Sequence, residues 1–214
     1  LAVFRWLWWK DPLFFVEFLP GNTPMNILLF NGSPRKRGNT DLLLERIEQG
    51  IHRGGQLAEH INLTQLDIHP CTGCGHCEKE GQCVFQDDMT PLYDKIDTAH
   101  RIVIGSPIYF YGVTAQAKAF IDRLQALWCR KYLLGEIKPE RNYRWGYLVS
   151  VAATDGGKVF DAARLTVQYA FDAMEFKYNG ELLIKGAEGK GSVSSRREVM
   201  DQALQLGLDL CQRS

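Results

Sequence analysis

No sign of charge dominates this chain. Lys plus Arg and Asp plus Glu each number 25 in 214 residues, so the formal net charge is zero. Such a balance gives no broad electrostatic pull toward nucleic acid or an anionic membrane, and neither is expected as a partner. A clean membrane span is also missing. The apolar N-terminal stretch, residues 1–24, is interrupted by Arg5, Lys10, Asp11, Pro12 and Glu17, whereas a spanning helix needs roughly 18 nearly uninterrupted apolar residues. No small-residue cleavage site of the A-x-A kind follows it. Internal repeats and low-complexity tracts are absent. The cysteines are not spread as a secreted disulfide scaffold would spread them: four of the six fall between Cys71 and Cys83. That clustering points to a metal, cluster or redox site in a reducing compartment, hence a cytoplasmic location.

What is present is an ordinary globular composition, 45% hydrophobic and 23% charged, with material for one sizeable core. Met25 directly precedes a strong apolar strand. The domain is therefore expected to be residues 25–214, with 1–24 a non-core extension; a short interfacial anchor is the other reading of that segment.

From Met25 the pattern is strand, glycine-rich turn, helix, repeated. Asn26–Asn31, Ala58–Leu63, Arg101–Gly105, Trp145–Val151 and Phe176–Ile184 read as strands. Helices are expected from apolar residues at helical spacing: Leu43, Ile47 and Ile51; Phe120, Leu124, Leu127 and Trp128 within Thr114–Cys129; Phe160, Ala163, Val167 and Phe171. Thr90-Pro91 reads as an N-cap with proline at N1, and Ser195-x-x-Glu198 as a capping box opening the last helix. Five strands alternating with helices predict a doubly wound, five-stranded parallel sheet in a three-layer α/β/α arrangement. Ligands of such sheets bind beyond the carboxyl ends of the strands, at the switch point of the winding.

The loops at those ends carry the chemistry. Residues 32–40, GSPRKRGNT, leave a buried strand and open a helix. Free N–H groups at a helix N-terminus, with Ser33, Asn39 and Thr40 as side-chain donors and Arg35 as a charge, suit a phosphate monoester. The glycines stand one residue too far apart for a Walker A loop, and Asn39 occupies its lysine position; the G-x-G-x-x-G spacing of a dinucleotide turn is also missing. After the third strand, Ser106–Val113 holds three aromatics and a proline where loops are normally polar, as a planar ring system requires. Thr154, Asp155, Gly156 and Gly157 follow the fourth strand, where glycine permits close backbone approach.

These motifs make a resemblance specific. Gly32-Ser-Pro-Arg with Gly38-Asn-Thr40, Asp87-Asp-Met89, Gly105 to Thr114 (GSPIYFYGVT) and Lys118 to Arg123 (KAFIDR) resemble the NADPH-dependent FMN reductase-like branch of the flavodoxin-like superfamily. The resemblance implies FMN phosphate held at Ser33, Arg35, Gly38, Asn39 and Thr40. It implies isoalloxazine contacts at Pro107, Ile108, Tyr109, Phe110 and Gly112, with Thr154, Asp155 and Gly156 as looser carry-overs. It also implies a dimer or tetramer with flavin near the interface.

Cys71-x2-Cys74-x2-Cys77-x5-Cys83 is compact enough to wrap a [4Fe–4S] cubane. Zinc sites usually separate two C-x-x-C pairs by a longer span. Unligated or redox thiols and a zinc site are the other readings. The segment resembles the cysteine motif of the iron–sulfur flavoproteins of the same superfamily. His76 reads as a solvated loop histidine, Cys129 and Cys211 as plain buried or half-buried thiols.

The expected function is an FMN-dependent NAD(P)H oxidoreductase that passes electrons to a small-molecule or protein acceptor. The flavin supplies the chemistry, so no catalytic side chain is named. A non-catalytic iron–sulfur flavoprotein carrying electrons between protein partners is the alternative.

Overall fold

The computed structural model describes residues 24–136 and 143–212. Apart from Pro24, the expected N-terminal extension lies outside the described residues. Five strands, β1 (Ile27–Asn31), β2 (Ala58–Asn62), β3 (Arg101–Pro107), β4 (Trp145–Val151) and β5 (Lys177–Ile184), form one parallel sheet in the order β2-β1-β3-β4-β5. The described helices are α1 (Asn39–Arg53), α2 (His76–Glu80), α3 (Thr90–Thr98), α4 (Ala115–Arg123), α5 (Gln125–Tyr132), α6 (Asp161–Ala173) and α7 (Arg197–Leu210).

Strand alternation decides the layers. On β1, Leu28 and Phe30 face a core completed by Leu92 and Ile96 of α3, Phe120 of α4 and Val167 and Phe171 of α6. Ile27 and Leu29 face the other way, onto Leu43, Ile47 and Ile51 of α1 and Ala203 and Leu210 of α7. Because both faces are covered, the inner strands read as continuous apolar runs. The two helices of the second layer touch at glycines: a Cβ on Gly50 would lie 2.2 Å from the Leu204 carbonyl oxygen, and one on Gly207 2.1 Å from that of Ile47.

This order is the flavodoxin-like one, whose switch point lies between β1 and β3. The two strands run in register from Ile27↔Arg101 to Asn31↔Gly105, so the loops that follow them leave the sheet side by side.

Four local expectations are corrected. The helix expected over Thr114–Cys129 is two, α4 and α5, because at Leu124 the backbone tightens: its N–H bonds to Ile121 O, 3.0 Å. The residues expected to be all loop around the cysteines contain α2, a single short helix bounded by Gly75 and Gly81, both left-handed. Thr90 lies inside α3 rather than capping it; Asp87 organises that start, its Oδ1 accepting from the Met89 N–H at 3.0 Å. The Ser195 capping box does not form. Ser195 belongs to a 3₁₀ turn over Ser192–Ser195 and donates to Ser192 O, leaving Arg196 at the cap of α7.

Candidate functional site

A crevice of about 240 Å³ opens at the carboxyl ends of β1, β3 and β4. The first loop contributes Ser33, Arg35, Gly38, Asn39 and Thr40 to its wall; the end of β3 contributes Pro107, Ile108 and Tyr109; the end of β4 contributes Val151 and Ala153. The loop is shaped from beneath. Asn31 donates from Nδ2 to Asp41 Oδ1 at 2.8 Å and accepts from the Ser33 N–H at 2.9 Å, while Asp41 Oδ2 accepts from the Arg37 N–H at 2.7 Å. Gly38 permits the tight return of the chain, since a Cβ there would stand 2.8 Å from the Arg35 carbonyl oxygen. Thr114, the N-cap of α4, donates to Gly32 O at 2.7 Å.

Thr40 decides what the crevice can hold. The residue is 1% exposed, it lines the crevice, and its hydroxyl has no hydrogen-bond partner among the described residues. An unsatisfied buried hydroxyl is costly. At the first turn of a fifteen-residue helix, where N–H groups and the dipole favour an anion, a phosphate oxygen would satisfy it. The donor chemistry fits a phosphate ester.

The other residues named from the sequence fall in different places. Asn39 does not offer its amide to the crevice: both Nδ2 hydrogens are used, on Ala187 O and Gly189 O at 2.9 Å each, and Oδ1 accepts from the Val193 N–H at 3.2 Å. Phe110 is fully exposed at the tip of a tight turn, next to Tyr111, with φ of 48° and 65°. Gly112 closes that turn through paired 3.0 Å bonds with Tyr109. Two neighbouring aromatic residues in the left-handed region are uncommon; Tyr109 lines the crevice while 43% exposed, and Phe110 and Tyr111 lie in solvent. Thr154, Asp155 and Gly156 stay outside the wall, Asp155 packing beside Gly186. Sequence reasoning missed Ala187, Glu188 and Lys190, which line the crevice from the β5–α7 connection.

A second cavity, about 400 Å³, is lined by Cys71, Cys74, Cys77 and Cys83 together. Cys71 and Cys74 are exposed; Cys77 and Cys83 are half-buried. Cys129, expected to be a plain buried or half-buried thiol, is fully buried in α5 and in addition donates to Cys77 Sγ at 3.7 Å. Burial first, then the Cys129 contact, pushes the Cys77 thiol up to about 12. Among the described residues no three ligand groups are already drawn around one point. Gly73 and Gly75, φ 66° and 74°, leave the loop unobstructed, with nothing within 4 Å of a Gly73 Cβ. The donor set, thiols from one loop facing one cavity, suits a soft cluster.

A buried ion pair clasps the base of this loop. Arg123, fully buried at the end of α4, bonds Asp87 through both terminal nitrogens, at 2.6 and 3.1 Å. It also donates to His69 O at 2.7 Å and Phe85 O at 3.4 Å, the two ends of the cysteine segment. The His69 and Phe85 rings stack 4.0 Å apart. Burial opposes the charge on Asp87, but the Arg123 guanidinium and the His69 and Met89 N–H groups outweigh it and hold the carboxyl below 3.8. The guanidinium is correspondingly raised by Asp87. Arg123 Nε is buried with no partner among the described residues, and Arg123 lines the cysteine cavity.

The sequence model of the NADPH-dependent FMN reductase family matches residues 25–179. An iron–sulfur flavoprotein of Methanocaldococcus jannaschii is 40% identical over 103 residues, 48% of this chain and 53% of that protein. One from Archaeoglobus fulgidus is 37% identical over 150 residues, 70% of this chain and 71% of that protein. The chain thus spans about half the length of the first relative. Among solved structures, a flavone reductase superposes with a TM-score of 0.66 at 22% identity, covering 87% of this chain and 62% of that one; this likeness speaks to the fold.

Proposed function

The chain belongs to the NADPH-dependent FMN reductase family, and on that footing we propose that it is an FMN-dependent NAD(P)H oxidoreductase. The observation that carries the reading is the partnerless Thr40 hydroxyl in a crevice at the sheet's switch point. When bound, FMN supplies hydride acceptance and onward electron transfer. The protein's own part is to hold and orient. Ser33, Thr40 and the opening N–H groups of α1 receive the phosphate, Arg35 adds charge, and Pro107, Ile108 and Tyr109 form the flat wall for the ring. No side chain need carry a proton in the first half-reaction.

The names of the relatives and the four thiols on one cavity support a [4Fe–4S] cluster held by Cys71, Cys74, Cys77 and Cys83. A cluster would add single-electron transfer. The reading also places the flavin domain at residues 25–214 and the protein in the cytoplasm as a homodimer or homotetramer. Among the described residues no helix is long and apolar enough to cross a membrane. The acceptor is a small molecule or a protein.

Flavin fluorescence titration of the purified chain should show one FMN per chain. Steady-state oxidation of NADH or NADPH with a quinone or free FMN should then exceed the protein-free rate. Flavin binding without NAD(P)H oxidation would favour the electron carrier; no flavin binding would sink the reading.

A further inference from the structure

We infer that residues 186–191, latched by Asn39, carry Lys190 to the crevice as a second cation for the phosphate. The inference rests on the FMN reading above, but these residues lie beyond the matched segment, 25–179. The loop is anchored at several points. Gly186 and Gly191 bend it with φ of 62° and 72°. Arg196 donates to Lys185 O at 2.8 Å and to Gly186 O, and Ala187 N–H bonds Ala152 O at 3.0 Å. Asn39 completes the set with three bonds, to Ala187 O, Gly189 O and the Val193 N–H. Asn39 is the first residue of α1, so the loop is tied to the helix end that faces the phosphate.

The charges make sense of that tie. A phosphate monoester carries close to two negative charges at neutral pH, as its second pKa near 6 requires. Arg35 and the helix end supply part of the balance. Lys190 lines the same crevice, and Glu188 beside it is the opposing charge, so the wall is net positive with Lys190 and neutral without it. Lys190 thus binds phosphate, and Asn39 acts as a positioning residue through the loop.

The test compares FMN with riboflavin, which lacks the phosphate, by fluorescence titration of the full chain. Lys190→Ala should weaken FMN about tenfold, one charge-assisted contact, and leave riboflavin unchanged. Asn39→Ala should weaken FMN similarly, and the double variant should be no worse than the weaker single one. Hydrogen exchange at Val193 should accelerate in Asn39→Ala but not in Lys190→Ala. Unchanged FMN affinity in Lys190→Ala would overturn the inference. So would effects that multiply in the double variant, which would mean that Asn39 meets the phosphate directly. Equal losses of riboflavin and FMN would also overturn it, since the loop would then shape the ring site. Failure of the unmodified chain to bind FMN is a separate outcome that removes the functional reading and this inference with it.

Discussion

Replacing Asp87 by Asn tests the clasp under the cysteine loop with little change of shape. The Asp87 carboxylate accepts four bonds: two from Arg123, one from the His69 N–H at 2.9 Å and one from the Met89 N–H at 3.0 Å. An amide keeps one acceptor and turns the other position into a donor, which at either position faces both an Arg123 nitrogen and a backbone N–H. The guanidinium side chain is 0% exposed and Asp87's is 13% exposed, so water compensates little. Removing one partner of a buried pair costs about 3–5 kcal/mol, a large share of the roughly 5–15 kcal/mol of a whole domain. The pH dependence has a fixed sign. The folded-state carboxyl lies below its value of 3.8, so its contribution is fully present above about pH 4, the unfolded value. It is lost as pH falls through the lower, folded one. Urea unfolding of the intact chain should show Asp87→Asn less stable by that amount at pH 7, with the gap narrowing below about pH 4. A variant within about 1 kcal/mol of the parent at pH 7, or a gap that does not change with acid, would refute the clasp.

Thr40→Val should leave the flavin-free protein as stable or slightly more so, because it removes a buried hydroxyl without a partner; thermal unfolding checks this. The same variant should weaken FMN about three- to tenfold, one hydrogen bond's worth, and a loss of stability without loss of affinity would count against the site. Cys74→Ser should abolish iron while leaving FMN bound, measured by metal analysis and visible absorbance of anaerobic protein; the parent should approach about four iron and four sulfide per chain. A parent that holds flavin and no iron after reconstitution would leave the thiols as redox or idle groups. Deleting residues 1–24 should preserve folding and flavin binding, and an insoluble truncated chain would show that the domain boundary is misplaced.

Most of the sheet was legible because burial on both faces writes itself as unbroken apolar runs, as in Ile27–Asn31 and Trp145–Val151. Edge strand β2 shows the weaker signal expected there: only Ile61 is buried. Where the reading went astray, local pattern and tertiary demand diverge. The apolar spacing of α4 continues into α5 in phase, so nothing in side-chain chemistry marks the break at Leu124. Ser195 and Glu198 have the right identities for a capping box, but the turn after Gly191 had already engaged the Ser195 hydroxyl. Asn39 stood among phosphate donors and proved to be spent on a loop 148 residues away. No motif announces that contact, because glycine, alanine, glutamate and lysine in the β5–α7 connection have no distinctive pattern.

Helix α4 joins the two cavities, which sequence spacing treats as unrelated. At its start, Thr114 holds the Gly32 carbonyl, and a Cβ on Gly32 would press to 2.8 Å from Ala117 Cβ. The first loop is therefore seated directly on the first turn of the helix. At its end, Arg123 gathers Asp87, His69 and Phe85 at the base of the cysteine segment. Between them Phe120 is fully buried, its ring 4.6 Å from that of Phe30 on β1, which fixes the helix to the sheet. Nine helical residues at 1.5 Å each span about 13 Å. The first loop and the base of the cysteine segment are thus tied to opposite ends of one short helix, whose length sets the distance between the two anchor points.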